Sequence, residues 1–182
     1  DNVMKFLKLV NHPQGMNIGM RHISLSTCGL TETFDKLAEN NLQLTLSVSL
    51  HAPDDETRSK LMPANRGRGV EELMDACERY FRKTGRRISF EYAMIDGVND
   101  SPEQAKLLAK HARRVAAHVN LIPLNHVDER SLMPSSPERI AGFKAELERE
   151  GVNVTVRRRL GGDIDASCGQ LRKKSLRLGD RS

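Results

Sequence analysis

The sequence contains no tryptophan, and its two tyrosines and five phenylalanines make up only 4% of 182 positions. Proteins that recognise single-stranded nucleic acid by base stacking rely on aromatic side chains, so this scarcity argues against a stacking platform. The sequence also lacks a charged-then-apolar leader and any apolar run of about 18 residues. These absences argue against export and against a membrane span.

Cysteine is scarce as well, with three residues, Cys28, Cys77 and Cys168. Their odd number and wide spacing imply no disulfide framework, which is typical of a protein from a reducing compartment. We therefore predict a cytoplasmic protein. No cluster of histidine, aspartate or cysteine has metal-ligand spacing, so we predict no metal ligands within this chain.

The overall composition is that of a globular protein long enough to bury a core, with 38% hydrophobic and 29% charged residues. The net charge of +5 and the pI of about 9.3 are compatible with an anionic partner. The residues after Leu171 are mostly basic and polar. We therefore predict one domain over residues 1–171 and a basic, flexible tail over residues 172–182.

Helical and strand periodicities alternate along the chain. Strands are predicted at about residues 23–27, 44–51, 88–95, 119–124 and 153–158, and helices at about 1–11, 31–40, 54–62, 70–84, 101–116 and 136–151. Such alternation implies parallel βαβ units. The strands are too few to close an eight-stranded barrel, and no glycine fingerprint of the Rossmann type follows the first strand. We predict an α/β fold with an open or partial barrel.

Polar residues follow the predicted strands, where parallel α/β folds gather their functional groups. They are Ser26 and Thr27, then Ser49, Leu50 and His51, then Asp96 and Asn125. Hydroxyl, imidazole, carboxylate and amide groups at one edge of the sheet suit a polar, zwitterionic ligand that carries a ribose. Each also has a structural interpretation: the serine and threonine could only end a strand, and the histidine and asparagine could only shape turns.

The segment Gly-Asp-Ile-Asp-Ala-Ser-Cys-Gly-Gln-Leu at 162–171 places Cys168 among small and polar residues. A structural cysteine normally lies on an apolar face, so this setting favours a thiol that does chemistry. Cys77, on the apolar stripe of a helix, is predicted to be core, and Cys28 to be structural. The arginines at 157–159 lie just before the Cys168 segment, and we expect them to be able to contact an anionic substrate.

Several motifs carry a resemblance to a known family. They are Ser-Thr-Cys-Gly-Leu at 26–30, Ser-Leu-His-Ala-Pro at 49–53, Leu-Met-Pro at 61–63, Phe-Glu-Tyr at 90–92, Asp-Gly-Val-Asn-Asp at 96–100, Asn-Leu-Ile-Pro-Leu-Asn at 120–125 and Asp-Ile-Asp-Ala-Ser-Cys-Gly-Gln-Leu at 163–171. In this order they resemble the radical SAM RNA methyltransferases. More narrowly, they resemble the bacterial dual-specificity enzymes that methylate C2 of an adenine in 23S rRNA and in certain tRNAs.

The resemblance implies a partial barrel, S-adenosylmethionine, a [4Fe–4S] cluster and a reductant protein such as flavodoxin. It implies that Cys168 takes a methyl group from one S-adenosylmethionine. A 5′-deoxyadenosyl radical, made from a second one, then abstracts hydrogen from the methylated cysteine so that its carbon can add to the adenine. Ser26, Ser49, Leu50, His51 and Asn125 match the family's S-adenosylmethionine contacts. A carbon radical is needed because an electron-poor ring carbon resists methylation by ordinary displacement.

The sequence departs from the family pattern in four ways. It has no C-x-x-x-C-x-x-C cluster motif, no Gly-Glu-Pro segment, no N-terminal accessory domain and no second catalytic cysteine. We therefore expect the C-terminal part of a longer protein, with the early barrel strands missing and no activity by itself.

The sequence leaves three alternatives open. One is the related enzyme that methylates C8 of the same adenine and confers antibiotic resistance. Another is a basic RNA-binding module without catalysis, which would have no need of a methylatable thiol. The third is a small phosphate-binding α/β enzyme, although no glycine-rich phosphate loop follows a strand.

Overall fold

A computed structural model describes residues 2–65, 67–124 and 132–158. The helices are α1 (Asn2–Asn11), α2 (Phe34–Glu39), α3 (Asp55–Leu61), α4 (Val70–Thr84), α5 (Pro102–Arg114) and α6 (Pro137–Arg149). The strands are β1 (Ser24–Thr27), β2 (Thr45–Ser49), β3 (Ile88–Met94), β4 (His118–Pro123) and β5 (Val154–Val156). Every predicted helix and strand is present. The predicted tail, Asn125 and Cys168 lie outside the described residues.

The helix ends follow local sequence signals. Ser101 and Gln104 form a reciprocal capping box at the start of α5. The Ser136 hydroxyl accepts a hydrogen bond from the Arg139 N–H at the start of α6. Helix α4 ends at Gly85, whose φ of +60° is in the left-handed region that glycine adopts without strain. These boundaries are set by residues within a few positions of one another in the chain.

The five strands form a single parallel sheet in the order β1-β2-β3-β4-β5. Each strand therefore pairs with the next one along the chain, as in a βα barrel and unlike a doubly wound sheet. Within the described ranges β1 and β5 do not pair, so the sheet is not closed. The predicted partial barrel is confirmed.

One face of the sheet is apolar and carries the core. Its central side chains belong to β2, β3 and β4, and each is at most 1% exposed: Leu46, Val48, Phe90, Tyr92, Val119 and Leu121. Buried residues of α2, α4, α5 and α6 belong to the same hydrophobic cluster. Alternate residues of each strand point to the same face of the sheet, and on this face they are apolar. All four of these helices pack against that apolar face.

The opposite face of the sheet is polar, and strand register aligns its side chains in two rows. The first row joins Ser26, Ser47, Ser89 and His118, and the second joins Ser49, Glu91, Asn120 and Thr155. In a βα barrel, the face turned away from the helices is the interior. We call these eight residues the polar inner face.

No helix among the described segments has the length and apolar character needed to cross a bilayer.

Candidate functional site

At the carboxyl end of β1, the side chains of Ser26 and Thr27 point to opposite faces of the sheet. Ser26 is exposed on the polar inner face. Thr27 points to the other face, and its hydroxyl accepts a hydrogen bond of 3.2 Å from the Gly29 N–H. The turn at Gly29 has a φ of +103°, which favours glycine. Ser26 thus stays available at the edge of the sheet, while Thr27 shapes the turn.

The end of β2 turns sharply, so that Ser49 and His51 face the edge of the sheet. The N–H groups of Leu50 and His51 both donate to the Glu91 carbonyl, at 3.1 and 3.2 Å. His51 has a φ of +58°, an uncommon value for a residue with a side chain. Leu50 is fully buried in the core. The side chain of Leu50 therefore anchors the turn, and its proposed ligand contact is confined to the backbone.

The His51 ring is a neutral donor at neutral pH. Its Nδ1 accepts a hydrogen bond of 3.1 Å from the Ala93 N–H, so the ring proton resides on Nε2. Burial, with the nearby Arg58 cation as a second cause, lowers the pKa of His51 below its ordinary value. The edge of the sheet therefore combines serine hydroxyls with an imidazole N–H, a set that suits a polar organic ligand.

Asn99 locks the ends of β2 and β3 together, a role that the sequence did not reveal. Its Oδ1 accepts from the Ile95 N–H at 2.8 Å. Its Nδ2 donates to the carbonyls of His51 at 2.7 Å and Ala93 at 2.6 Å. Because the side chain is fully buried, these three bonds fix the backbone that presents His51.

Asp96 was the predicted polar residue of this motif, and no hydrogen bond among the described residues joins its side chain to Ser49 or His51. It is exposed, and within the described part of the chain its carboxylate makes no hydrogen bond or ion pair. The buried carboxylate is Asp100, which accepts hydrogen bonds from the Gly97 N–H at 3.1 Å and the Ser135 hydroxyl at 2.8 Å. The Asp-Gly-Val-Asn-Asp motif is thus a structural turn that supports the strand end.

Arg58 joins the ends of β1 and β2, and it too was missed from the sequence. Its side chain is 2% exposed. The guanidinium donates to the Leu50 carbonyl at 3.1 Å, the Cys28 carbonyl at 2.9 Å, the Ser49 carbonyl at 3.3 Å and the Asn65 side chain. A planar group with five N–H donors is suited to holding several carbonyls in fixed positions. The sequence gives one indication of this role, namely that Arg58 lies in the short helix α3 that follows the Ser-Leu-His motif.

The cysteines of the described residues do not fit an iron–sulfur cluster. Cys77 is fully buried on α4, and burial raises its pKa to about 12. Its predicted core position is confirmed. Cys28 has an exposed side chain, and its carbonyl is held by Arg58. In the described ranges no group of three histidine, cysteine or acidic residues could hold a metal ion.

Arg157 and Arg158 are exposed directly after β5. The Arg157 N–H donates to the Leu121 carbonyl at 2.8 Å, so this segment continues beside β4. Both cations are thus on the same edge of the sheet as Ser49 and His51. Arg159 and the Cys168 segment lie outside the described residues.

A buried histidine makes stability depend on pH. His111 is 2% exposed, its Nε2 donates to the Pro53 carbonyl at 2.9 Å, and its buried Nδ1 has no partner among the described residues. Burial lowers the pKa of His111 despite that hydrogen bond. Below the ordinary pKa of 6.5, the unfolded chain therefore binds a proton that the folded chain resists.

We expect the free energy of unfolding to be highest above pH 7 and to fall as the pH drops from about 6.5 toward the lower folded pKa, by up to about 1.4 kcal/mol per pH unit for each such histidine. His111→Gln should reduce this slope, because glutamine can donate to Pro53 but does not titrate. Urea unfolding at pH 7.5 and pH 5.5 measures the slope. Some slope should remain, since burial also lowers the pKa of His51 and His118. An unchanged slope in the variant would contradict the assignment to His111.

The family model described as the Radical SAM superfamily matches residues 1–109. This match, on an open parallel sheet with polar groups at its carboxyl edge, shows that the chain belongs to the radical SAM superfamily. Within it, the chain is 51% identical to a probable dual-specificity RNA methyltransferase RlmN from Desulforamulus reducens, over 96% of this chain and 50% of the relative. A relative of the same name from Caldanaerobacter subterraneus is also 51% identical, over 98% of this chain and 52% of its own length.

Solved structures agree with the fold. A radical SAM methyltransferase from Sphaerobacter thermophilus matches with a TM-score of 0.88 and 46% identity, over 92% of this chain and 49% of that one. A domain of pyruvate-formate lyase-activating enzyme from Bacteroides vulgatus matches with a TM-score of 0.59 at 18% identity, which supports the fold alone. The chain spans about half the length of the curated relatives it matches. The family resemblance drawn from the sequence is confirmed.

Proposed function

We propose that this chain is the C-terminal part of a radical SAM enzyme that methylates C2 of an adenine in 23S rRNA and in tRNA. The observation that carries the proposal is the carboxyl edge of the sheet, with Ser26 near the end of β1 and Ser49 and His51 at the end of the neighbouring strand β2. Arg58 and Asn99 hold the carbonyls of Ser49 and His51 there. The named relatives are dual-specificity RNA methyltransferases, which supports the reaction class. The exposed Arg157 and Arg158 and the net charge of +5 suit an RNA substrate.

The residues at this edge fit S-adenosylmethionine. The cofactor presents an adenine, a ribose and a zwitterionic amino acid, all of which hydrogen-bond to hydroxyl and imidazole groups. Ser26, Ser49 and His51 would hold it, with Asn125 as a further predicted contact outside the described residues. When bound, S-adenosylmethionine supplies the methyl group and the reactive carbon centre of the family's chemistry. The chain's own task is to hold it with its reactive end turned toward the substrate and away from water.

The residues of this chain do not fit the [4Fe–4S] cluster. Its cysteines at positions 28, 77 and 168 are far from the C-x-x-x-C-x-x-C spacing, and Cys77 is locked in the core. We therefore propose that the 182-residue chain is inactive by itself. Its activity would require the cluster ligands of the other half of the relatives' length, together with a reductant such as flavodoxin in the cytoplasm.

Cys168 is proposed as the methyl carrier. A chimera tests this directly: the present chain replaces the matching half of the Desulforamulus reducens relative, and methylation of a 23S rRNA fragment and of tRNA is measured. We expect methyl transfer to C2 of adenine, read by mass spectrometry of the nucleosides. Cys168→Ala should abolish it, whereas Cys28→Ala should fold and retain it.

Three outcomes would count against the proposal. A folded chimera without methyl transfer would reject the activity. A product methylated at C8 would assign the chain to the related resistance enzyme. Full activity in Cys168→Ala would reject the carrier.

A further inference from the structure

Glu91 is a carboxylate in the centre of the polar inner face. It lies on the middle strand β3, with Ser49 on one side and Asn120 on the other in the strand register. The Ser89 hydroxyl donates to its Oε1 at 3.1 Å, and the Asn120 amide donates to its Oε2 at 2.7 Å. These two bonds fix the carboxylate, which is half-buried and faces away from the helical layer.

The supporting side chains are themselves held. The Thr155 hydroxyl donates to Asn120 Oδ1 at 3.3 Å, and the His118 Nε2 donates to the Thr155 oxygen at 2.9 Å. The network thus extends over three strands and directs the Asn120 amide at Glu91. A network of this kind gives a side chain one orientation, as residues that recognise a ligand require.

The carboxylate retains capacity to accept further hydrogen bonds. It has about four lone-pair sites, of which Ser89 and Asn120 occupy one on each oxygen. Among the described residues, the hydrogen bonds to this carboxylate come from the Ser89 hydroxyl and the Asn120 amide. Each carboxylate oxygen therefore retains capacity for a further donor. A carboxylate with this capacity can accept hydrogen bonds from two adjacent hydroxyl groups. Carboxylates bind ribose hydroxyls in this way in other nucleotide-binding sites.

We propose that Glu91 binds the vicinal hydroxyls of a nucleoside ribose. The inference rests on the proposed function and adds a specificity-determining residue to its site. Ser49 is the register neighbour of Glu91 on β2, about 5 Å away between strands. The Glu91 carbonyl also accepts from the N–H groups of Leu50 and His51. The carboxylate and the edge residues therefore face the same ligand.

Two sources of ribose differ in which hydroxyl groups are free. S-adenosylmethionine and free adenosine carry both the 2′- and the 3′-hydroxyl, whereas a nucleotide inside an RNA strand has its 3′-oxygen esterified. A bidentate carboxylate therefore selects the free nucleoside or the cofactor. Glu91 should contribute little to the binding of internal RNA nucleotides.

The test is equilibrium dialysis of the 182-residue chain with adenosine, 2′-deoxyadenosine, 3′-deoxyadenosine and S-adenosylmethionine. Glu91→Gln keeps the size and shape of the side chain and removes its charge. Glu39→Gln is the matched control, because Glu39 is on α2 with a side chain that is 65% exposed. Circular dichroism confirms that each variant is folded.

We expect Glu91→Gln to weaken adenosine and S-adenosylmethionine binding by about tenfold or more, as for the loss of hydrogen bonds to a charged group. The wild-type chain should bind both deoxynucleosides about as weakly as Glu91→Gln binds adenosine. The affinity for the deoxynucleosides should fall little further in Glu91→Gln. Glu39→Gln should bind like the wild type. Binding of a short single-stranded RNA should be the same in all three proteins.

Unchanged adenosine binding in Glu91→Gln would overturn the proposal, and so would a deoxynucleoside that binds as well as adenosine. A loss confined to the RNA would also overturn it, because the ligand would then be the substrate strand. None of these binding results would change the expected dependence of methyl transfer on Cys168 in the chimera. The failure of this inference is therefore distinguishable from the failure of the proposed function.

Discussion

Replacing Arg58 with methionine is expected to lower the free energy of unfolding by about 3–5 kcal/mol, the summed cost of several acceptors losing a charged donor. The side chain is 2% exposed and donates to the carbonyls of Cys28, Ser49 and Leu50. Methionine fills a similar volume but donates no hydrogen bond, so these carbonyls at the ends of two strands would lose their charged donor. Urea unfolding followed by circular dichroism measures the change.

Arg79→Met is the matched control for this experiment. Arg79 pairs with Asp35 at 3.3 Å, and both side chains are 54% exposed. Exposed ion pairs contribute less than about 1 kcal/mol, so the control should remain close to the wild type. If the two variants lost the same stability, Arg58 would not be the clamp of the strand ends. Arg58→Lys should recover only part of the loss, because an ammonium group cannot reproduce the planar fork.

Changing Asn99 to aspartate is expected to lower the free energy of unfolding by about 2–4 kcal/mol at pH 7. The Asn99 amide donates to the carbonyls of His51 and Ala93, and the residue is fully buried. An aspartate of the same size would place a carboxylate oxygen against both carbonyls. Repulsion and the burial of a charge therefore act together. Thermal and urea unfolding both report the change.

Asn40→Asp is the corresponding control, since Asn40 is exposed and its amide donates to the Lys36 carbonyl at 2.8 Å. That substitution should change stability by less than about 0.5 kcal/mol. Asn99→Asp should also weaken adenosine binding, because the backbone at His51 would no longer be fixed. A stable Asn99→Asp chain with unchanged ligand binding would refute the role of Asn99 at this edge.

Much of the secondary structure could be predicted because its determinants are local. Ser101 and Gln104 cap α5 within one turn, and Gly85 ends α4 through its own backbone conformation. The alternation of small hydroxylated and branched residues at 44–51 predicted a strand with one polar face. The core position of Cys77 followed from the apolar stripe of α4 in the same way. In each case the deciding residues lie within a few positions of one another.

The candidate site was predicted only in outline. Ser26, Ser49 and His51 were placed at one edge because parallel strands end on the same side. The sequence could not separate Thr27 from Ser26, and it favoured Asp96 over Asn99. Strand ends are recognisable from sequence, but the hydrogen-bond partners of a side chain beyond the strand are not.

The sequence by itself determined the order of elements, the polar and apolar faces of the strands and the family to which the chain belongs. The tertiary structure alone decided that Arg58 reaches the Cys28 carbonyl 30 positions away, that Asn99 reaches His51 48 positions away and that Asn120 reaches Glu91 29 positions away. These contacts exist because strand register brings distant residues side by side. Local propensity carries no information about register across strands, so the geometry of the site had to come from the packed sheet.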